Sequence, residues 1–340
     1  MPEFSLIIPV YNVQDFLAEC LDSCINQTFK DIEIICINDC SPDDSYKILE
    51  QYVKNDFRIK VITHTQNRGL GGARNTGIEA ATGKYCWFID SDDSILLNAC
   101  EILHSVITKT AADIIRFSWI NYYYDTCSKT KSIIDGGSGS WPYDILLTKK
   151  DFTKLDVPTL QAWAYITRYS LLKSRKFREN VVHEDDDFTP ILFAEANSIY
   201  CVNYTLYSYR RHLQSITKGG DGSELDEKRT IDKLLAVNVL CDYIISSNLP
   251  EDHFCVQIAI VHHTFLKKMY KKFREIHTKE LDTIIKKGDK INEYFLNNTR
   301  FKGNTKLYDQ IITRYGNTRM LEFILKVYQF IICRTGTYCV

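Results

Sequence analysis

The sequence predicts an α/β chain: a doubly wound, mostly parallel sheet, followed by a C-terminal α-helical extension. Three observations carry this. Short, nearly unbroken apolar runs recur through the first ninety residues, as in strands buried on both faces. Between them, apolar residues return at helical spacing. Two of the runs stop abruptly at acidic residues, Asp39 and Asp90-Ser91-Asp92-Asp93, at the carboxyl edge where such sheets bind ligands.

The elements follow in order. Phe4–Tyr11 reads as the first strand, and Phe16, Leu17, Cys20, Leu21, Cys24 and Ile25 as the buried face of a helix. Ile32–Asp39 is a second strand. Ser41-Pro42-Asp43-Asp44 then looks like a helix start, with Ser as N-cap, Pro in first position and acids in the first turn. Ile59–Thr63 leads through a Gly-rich loop to a short helix near Gly72–Ala81, and Tyr85–Asp90 is the fourth strand. A helix over Leu96–Lys109, with Asp93 placed to cap it, and a strand over Asp113–Trp119 come next. Asp125–Lys131 suggests a hairpin and Gly136–Ser140 a mobile loop. Ser170–Ser174 reads as helix, Ile199–Tyr209 as strand and Gly219–Gly222 as a hinge, with helices beyond.

The 340 residues are 45% hydrophobic and 25% charged, enough for a sizeable core and without a bias toward disorder. A net charge of −1 hides an asymmetry: residues 225–340 carry 19 Lys and Arg against 13 Asp and Glu, and the first 224 carry 23 against 30. Twelve cysteines without a CxxC pair, most in apolar stretches, suggest reduced thiols and a cytoplasmic setting. No secretion signal and no membrane-length apolar run is apparent. In the tail, Lys267, Lys268, Lys271, Lys272 and Arg274 lie along one helix. An apolar ridge runs from Leu321 to Ile332. The pair suits peripheral contact of residues 260–340 with an anionic membrane face, or equally a helical subdomain or oligomer interface. No nucleic-acid partner is expected.

Chemistry concentrates in five places. Three carboxylates within Asp90–Asp93 repel one another unless a cation relieves them, and hard oxygen ligands favour Mg²⁺ or Mn²⁺. Asp39 accepts hydrogen bonds only, so it suits the imide N–H of uracil and refuses cytosine, while guanine, which also has a ring N–H, is not excluded; Tyr11 offers a ring face. Gly69-Leu70-Gly71-Gly72-Ala73-Arg74 is no dinucleotide fingerprint, because it follows the third strand and Arg74 takes the third Gly position. It can still present backbone N–H groups and Arg74 to phosphate. His183-Glu184-Asp185-Asp186-Asp187 offers a base for an attacking hydroxyl. Tyr207-Ser208-Tyr209-Arg210-Arg211-His212 through Thr217 offers a diphosphate clamp from its Arg and Ser residues and, in neutral His212, a metal ligand.

In sequence, Ile7-Ile8-Pro9-Val10-Tyr11-Asn12, Asn38-Asp39-Cys40-Ser41-Pro42-Asp43, Asn67-Arg68-Gly69 through Ala73-Arg74-Asn75-Thr76-Gly77 and Phe88-Ile89-Asp90-Ser91-Asp92-Asp93 resemble the family-2 glycosyltransferases of the GT-A fold. These are inverting enzymes of surface-polysaccharide and lipooligosaccharide synthesis that use nucleotide sugars. Weaker marks continue at Trp163, Glu184-Asp185 and Tyr209 to Thr217. The resemblance implies a UDP-sugar donor held by Pro9, Tyr11, Asn12, Asp39, Asn67, Arg74, Asp90, Ser91, Asp92, Asp93, Arg210 and Ser215. Arg74 is implied near the diphosphate, Asp92 as metal ligand and Asp185 as general base. Trp163 and Glu184 are implied on the side of a glycan or lipid-linked glycan acceptor. Residues 1–105 would then be the donor half, 106–220 the acceptor half and 225–340 a helical extension. The chain departs from the family's usual Asp-Asp-Gly at Asn38-Asp39-Cys40, and its three consecutive Asp at 185–187 offer more than one carboxylate as base. A binding or scaffold protein of the same fold, without chemistry, is the alternative.

Overall fold

A computed structural model describes residues 1–125, 130–137, 142–151, 161–212, 224–247 and 249. The chain divides into two compact units, Met1–Ser215 and Ile216–Val340. In the first, β1 (Phe4–Val10), β2 (Ile32–Asn38), β3 (Ile59–Thr63) and β4 (Tyr85–Phe88) form a parallel block in the order β3-β2-β1-β4. Every residue of β1, β2 and β4 is buried, which explains their unbroken apolar sequence. The intervening helices are α1 (Leu17–Ile25), α2 (Ser45–Asn55) and α3 (Gly69–Ala80).

Beyond β4 the same sheet becomes mixed. β9 (Tyr165–Arg168) pairs antiparallel with β4 and with β6 (Ile114–Asp125). β10 (Ser198–Arg211) runs parallel to β6. β5 (Ser94–Ile95) and β8 (Leu146–Thr148) pair antiparallel with β10, and β7 (Thr130–Gly137) with β6. Helices α4 (Ala99–Thr110), α5 (Tyr169–Leu172) and α6 (Asp185–Glu195) complete this unit, and α7 (Glu224–Ser247) belongs to the second. Among the described residues no helix is long and apolar enough to cross a membrane. All eight cysteines that are described are free.

Several local expectations are corrected. The helix expected from Pro42 begins at Ser45. Ser41 Oγ donates to Asp43 Oδ1 (2.6 Å), which also accepts the Ser45 N–H (3.1 Å), so Ser41–Asp44 is a side-chain-bonded turn. α3 begins at Gly69, so the Gly-rich segment is its first turn and not a loop before it. Its glycines serve packing: a Cβ at Gly71 would stand 2.1 Å from the Arg178 carbonyl oxygen, and one at Gly77 2.2 Å from Ile7 Cγ2. α4 starts at Ala99 after Asn98, because Ser94-Ile95 pairs with β10, so Asp93 does not cap it. The helix expected at Ser170–Ser174 is the single turn α5. Gly136 and Gly137 of the expected mobile loop lie in β7, while 138–140 and the hinge at 219–222 fall outside the described residues.

Glu33 ties the far end of the sheet together. Its Oε1 accepts from Ser5 Oγ (2.7 Å) and from the backbone N–H groups of Thr82 (2.6 Å) and Gly83 (3.0 Å), and its Oε2 from Lys60 (2.7 Å). Burial alone would raise its pKa. The bonds from Lys60, Ser5 and Thr82 outweigh it and hold the carboxyl at about 2. A depressed carboxyl stabilises the fold above its unfolded value and loses that contribution as pH falls through the folded one. Glu33→Gln should therefore cost about 2–3 kcal/mol at neutral pH and flatten the loss of stability between about pH 4 and 2, read from urea unfolding across pH. Equal midpoints at pH 7 would contradict this.

Candidate active site

The carboxyl edge of the parallel block carries the acids, as expected, but each has a separate partner. Asp90, just after β4, accepts from Arg74 Nη2 (2.8 Å). Asp93 is fully buried, accepting from Tyr207 Oη (2.7 Å) and from the Arg210 N–H (2.7 Å). Asp92 is the most open of the set that faces the last residue of this edge: its Oδ2 lies 2.9 Å from His212 Nε2, just after β10. Ser91 is buried. Burial, with Arg74 opposing it, raises the pKa of Asp90. Burial, then Asp92 and Asp90, raises that of Asp93 much further.

Two buried arginines organise this edge. Arg74, on α3, joins Asp90 to Glu184, the residue before α6, with its guanidinium beside the rings of Phe88 and Phe177. Arg210 donates from Nε to the Asp92 carbonyl (2.6 Å) and from Nη2 to Glu19 (2.8 Å), its guanidinium over Phe16. Both were expected at a diphosphate. The structure spends both as struts, because a guanidinium with several donors can satisfy several buried acceptors at once. Glu184, expected toward an acceptor, is buried against Arg74, and Asp93 is a lock and not a ligand-facing acid.

The acidic run forms the N-terminus of α6, where Asp185, Asp186 and Asp187 occupy a first turn that favours negative charge. Asp187 pairs with Arg178 (2.7 Å). Ligand atoms of His183, Asp185 and Asp186 lie within 4.8 Å of one another, the group of three among the described residues close enough to share a cation. Asp185 is partly exposed, and its Oδ2 faces the Ala162 N–H at 3.4 Å. Burial first, then the charges of Glu184 and Asp186, push its pKa well above the usual carboxylate range. Next to it, Trp163 sits in a 3-10 turn, Ala162–Ala164. Its ring stacks on Tyr207 (4.5 Å) and Tyr209 (5.3 Å) and is only 5% exposed. It is therefore a plate of the core beside Asp185, and not the open contact its position in the motif suggests.

At β2, Asp39 is buried, accepting through Oδ1 from the Arg68 N–H (2.9 Å) and facing His64 Nδ1 (2.6 Å). Tyr11 stands beside β1 at 49% exposure. Pro9 is buried within β1, opposite Ile37. Asn12, in left-handed backbone conformation (φ 54°), donates its N–H to Ser41 Oγ. Asn67 is used locally: Nδ2 donates to the Asp39 carbonyl and Oδ1 accepts the Gly69 N–H. Ser215 lies outside the described residues. Sequence reading missed His64 and Glu19, and had Tyr207 only as the start of the run before the hinge. Each partners a recognised acid or arginine across a long sequence separation, for which no local pattern gives a signal.

A site for a divalent cation fits Asp92 and His212 but not the whole acid cluster. A carboxylate oxygen and an imidazole nitrogen, Asp92 Oδ2 and His212 Nε2, converge there at 2.9 Å, close enough for one ion to replace the proton between them. Two protein ligands suffice for Mg²⁺ or Mn²⁺, which keep waters and take phosphate oxygens. Asp90 and Asp93 are already paired.

This sheet, a parallel block with acids at its carboxyl edge continued by mixed strands, is the GT-A architecture. It is similar to the structure of TarS residues 1–349 from Staphylococcus aureus in complex with UDP-GlcNAc, with a TM-score of 0.63 at 22% identity, covering 85% of this chain and 79% of that one. The chain belongs to glycosyl transferase family 2, whose model matches residues 5–177. It is 35% identical over 228 residues to the uncharacterized glycosyltransferase EpsJ of Bacillus subtilis, 64% of each chain. It is 50% identical over 96 residues to a poly(ribitol-phosphate) beta-glucosyltransferase of Bacillus spizizenii, 27% of this chain and 15% of that one. The chain thus spans slightly under two thirds of EpsJ.

Arg74→Lys replaces a bidentate fork with one point charge and leaves a buried carboxylate unpaired, so it should lower the stability of this unit by about 2–5 kcal/mol, measured by urea unfolding. An unchanged midpoint would show that Asp90 and Glu184 do not need the guanidinium.

Proposed function

We propose that the chain is a divalent-metal-dependent, inverting glycosyltransferase that moves a sugar from a UDP-sugar to a hydroxyl of a glycan or lipid-linked glycan in surface-polysaccharide synthesis. The observation that carries the reading is the convergence of Asp92 and His212 at 2.9 Å on the edge that also holds Asp39, with Asp185 partly open at the start of α6. The UDP-GlcNAc of the TarS complex and the beta-glucosyl transfer named for the Bacillus spizizenii relative support it.

In this reading residues 1–105 hold the donor and 106–220 the acceptor. Asp39 and Tyr11 hold the base, and Asp92 and His212 would hold Mn²⁺ or Mg²⁺. Such an ion, when bound, neutralises the diphosphate as it leaves. Asp185 takes the proton of the attacking hydroxyl. Its raised pKa suits this role, since a base works best when its affinity for protons approaches the ambient pH. One base is enough for a single, inverting displacement. A carboxylate bound to a cation could not accept that proton, so the reading assigns the ion to Asp92 and not to the His183–Asp185–Asp186 group. The chain works at the cytoplasmic side, with the net-positive residues 260–340 at an anionic membrane.

A panel of UDP-sugars should reveal hydrolysis of one donor that EDTA abolishes. Asp185→Asn should reduce transfer at least about a thousandfold while keeping Mn²⁺-dependent UDP binding, and wild-type kcat/KM should fall on acidification above the usual carboxylate range, because the unprotonated form is the active one. Wild-type turnover by Asp185→Asn would remove Asp185 from the role. Loss of UDP binding in that variant would instead put the cation at α6. No hydrolysis of any UDP-sugar would favour a binding protein.

A further inference from the structure

The geometry points to His64 as the residue that sets the base specificity of the donor site, acting through Asp39. The inference rests on the UDP-sugar reading above and deepens it.

A carboxylate cannot donate, so the 2.6 Å contact between His64 Nδ1 and Asp39 Oδ1 requires the proton on Nδ1. The other ring nitrogen, Nε2, lies 2.8 Å from Thr76 Oγ1. The Thr76 hydroxyl donates to the Gly72 carbonyl (3.2 Å) and accepts from Arg68 Nη1 (3.2 Å), and Arg68 is itself fixed by two bonds to Glu179. The imidazole is thus held at both nitrogens, between Thr76 and Asp39. The inner end is enclosed, with the His64 side chain 8% exposed and that of Asp39 3%, while Arg68 and Glu179 reach the surface.

The chain of bonds decides what Asp39 offers. Its Oδ1 is filled by two donors, His64 Nδ1–H and the Arg68 N–H at 2.9 Å. The carboxylate plane is thereby fixed, and Oδ2 takes no hydrogen bond among the described residues, yet is not among the sealed unpartnered atoms of the interior. A fixed, unprotonated oxygen with free lone pairs accepts an N–H and repels a lone pair. Uracil presents a ring N–H at that position and cytosine a ring lone pair, so the site takes one and refuses the other. Without His64 the carboxylate loses one of the two donors that hold it. It can then turn, so that neither the match to uracil's N–H nor the repulsion of cytosine's lone pair is held in place. His64 is thus a positioning residue, touching the base only through Asp39.

The test compares UDP with CDP by calorimetry in saturating Mn²⁺, using the full chain. An Asn side chain places its amide N–H near the position of Nδ1, and Gln near that of Nε2, so the two variants separate the bond to Asp39 from the bond to Thr76. Wild type should prefer UDP. His64→Asn should keep the UDP to CDP affinity ratio within about threefold, whereas His64→Gln and His64→Leu should lower it at least about tenfold, chiefly by admitting CDP. Should His64→Leu fail to fold, the Asn and Gln pair still decides. An undiminished ratio in His64→Gln overturns the inference while leaving the UDP reading intact. Wild type that binds both nucleotides equally, or neither, overturns that reading and this inference with it.

Discussion

The first unit depends on how buried negative charge is managed at one edge of a sheet. Parallel strands β2 and β4 end in carboxylates that lie under side chains and not in water, where an unpaired charge is costly. Arg74 and Arg210 carry the balancing charge, each buried to within 1%. Arg74 joins the end of β4 to the start of α6, and Arg210 joins the end of β10 to the Asp92 backbone and to α1. Both sides of the candidate site are thereby fixed to one another by charge, at positions separated by more than a hundred residues in sequence.

This arrangement turns similar residues into different instruments. Asp93, enclosed and bonded by Tyr207, is a fastening. Asp90 answers Arg74. Asp92 alone of the three turns to His212, a side chain that can itself offer a nitrogen to a cation. On α6 the same division recurs, with Asp187 tied to Arg178 and Asp185 left partly open in an environment that raises its affinity for protons. Chemistry falls to the acids that structure does not consume.

Much of the parallel block was legible in the sequence because its signals are local. Apolar runs such as Leu6–Val10 can only be strands buried on both faces, and acids following such strands mark the ligand edge. Positions near turns were less legible: Ser41 and Asp43 bond to each other and so delay α2, and Gly71 and Gly77 serve close packing inside α3 where a phosphate loop was expected. Partnership was least legible. Arg74 and Arg210 advertise positive charge, but nothing local says whether it will meet a ligand or Glu184 and Glu19. His64 was passed over because a histidine at the end of a strand has no pattern of its own; its meaning lies in Asp39 and Thr76, which are brought to it by the fold.

The account stands on Asp92 and His212 as a pair that binds one divalent ion together with the donor. Electron paramagnetic resonance of Mn²⁺ titrated into the protein with UDP addresses this directly, since only the free ion gives the sharp signal. Wild type should remove about one ion per chain from that signal, and Asp92→Asn and His212→Asn should each weaken uptake at least about tenfold. Equal uptake by all three proteins would contradict the account.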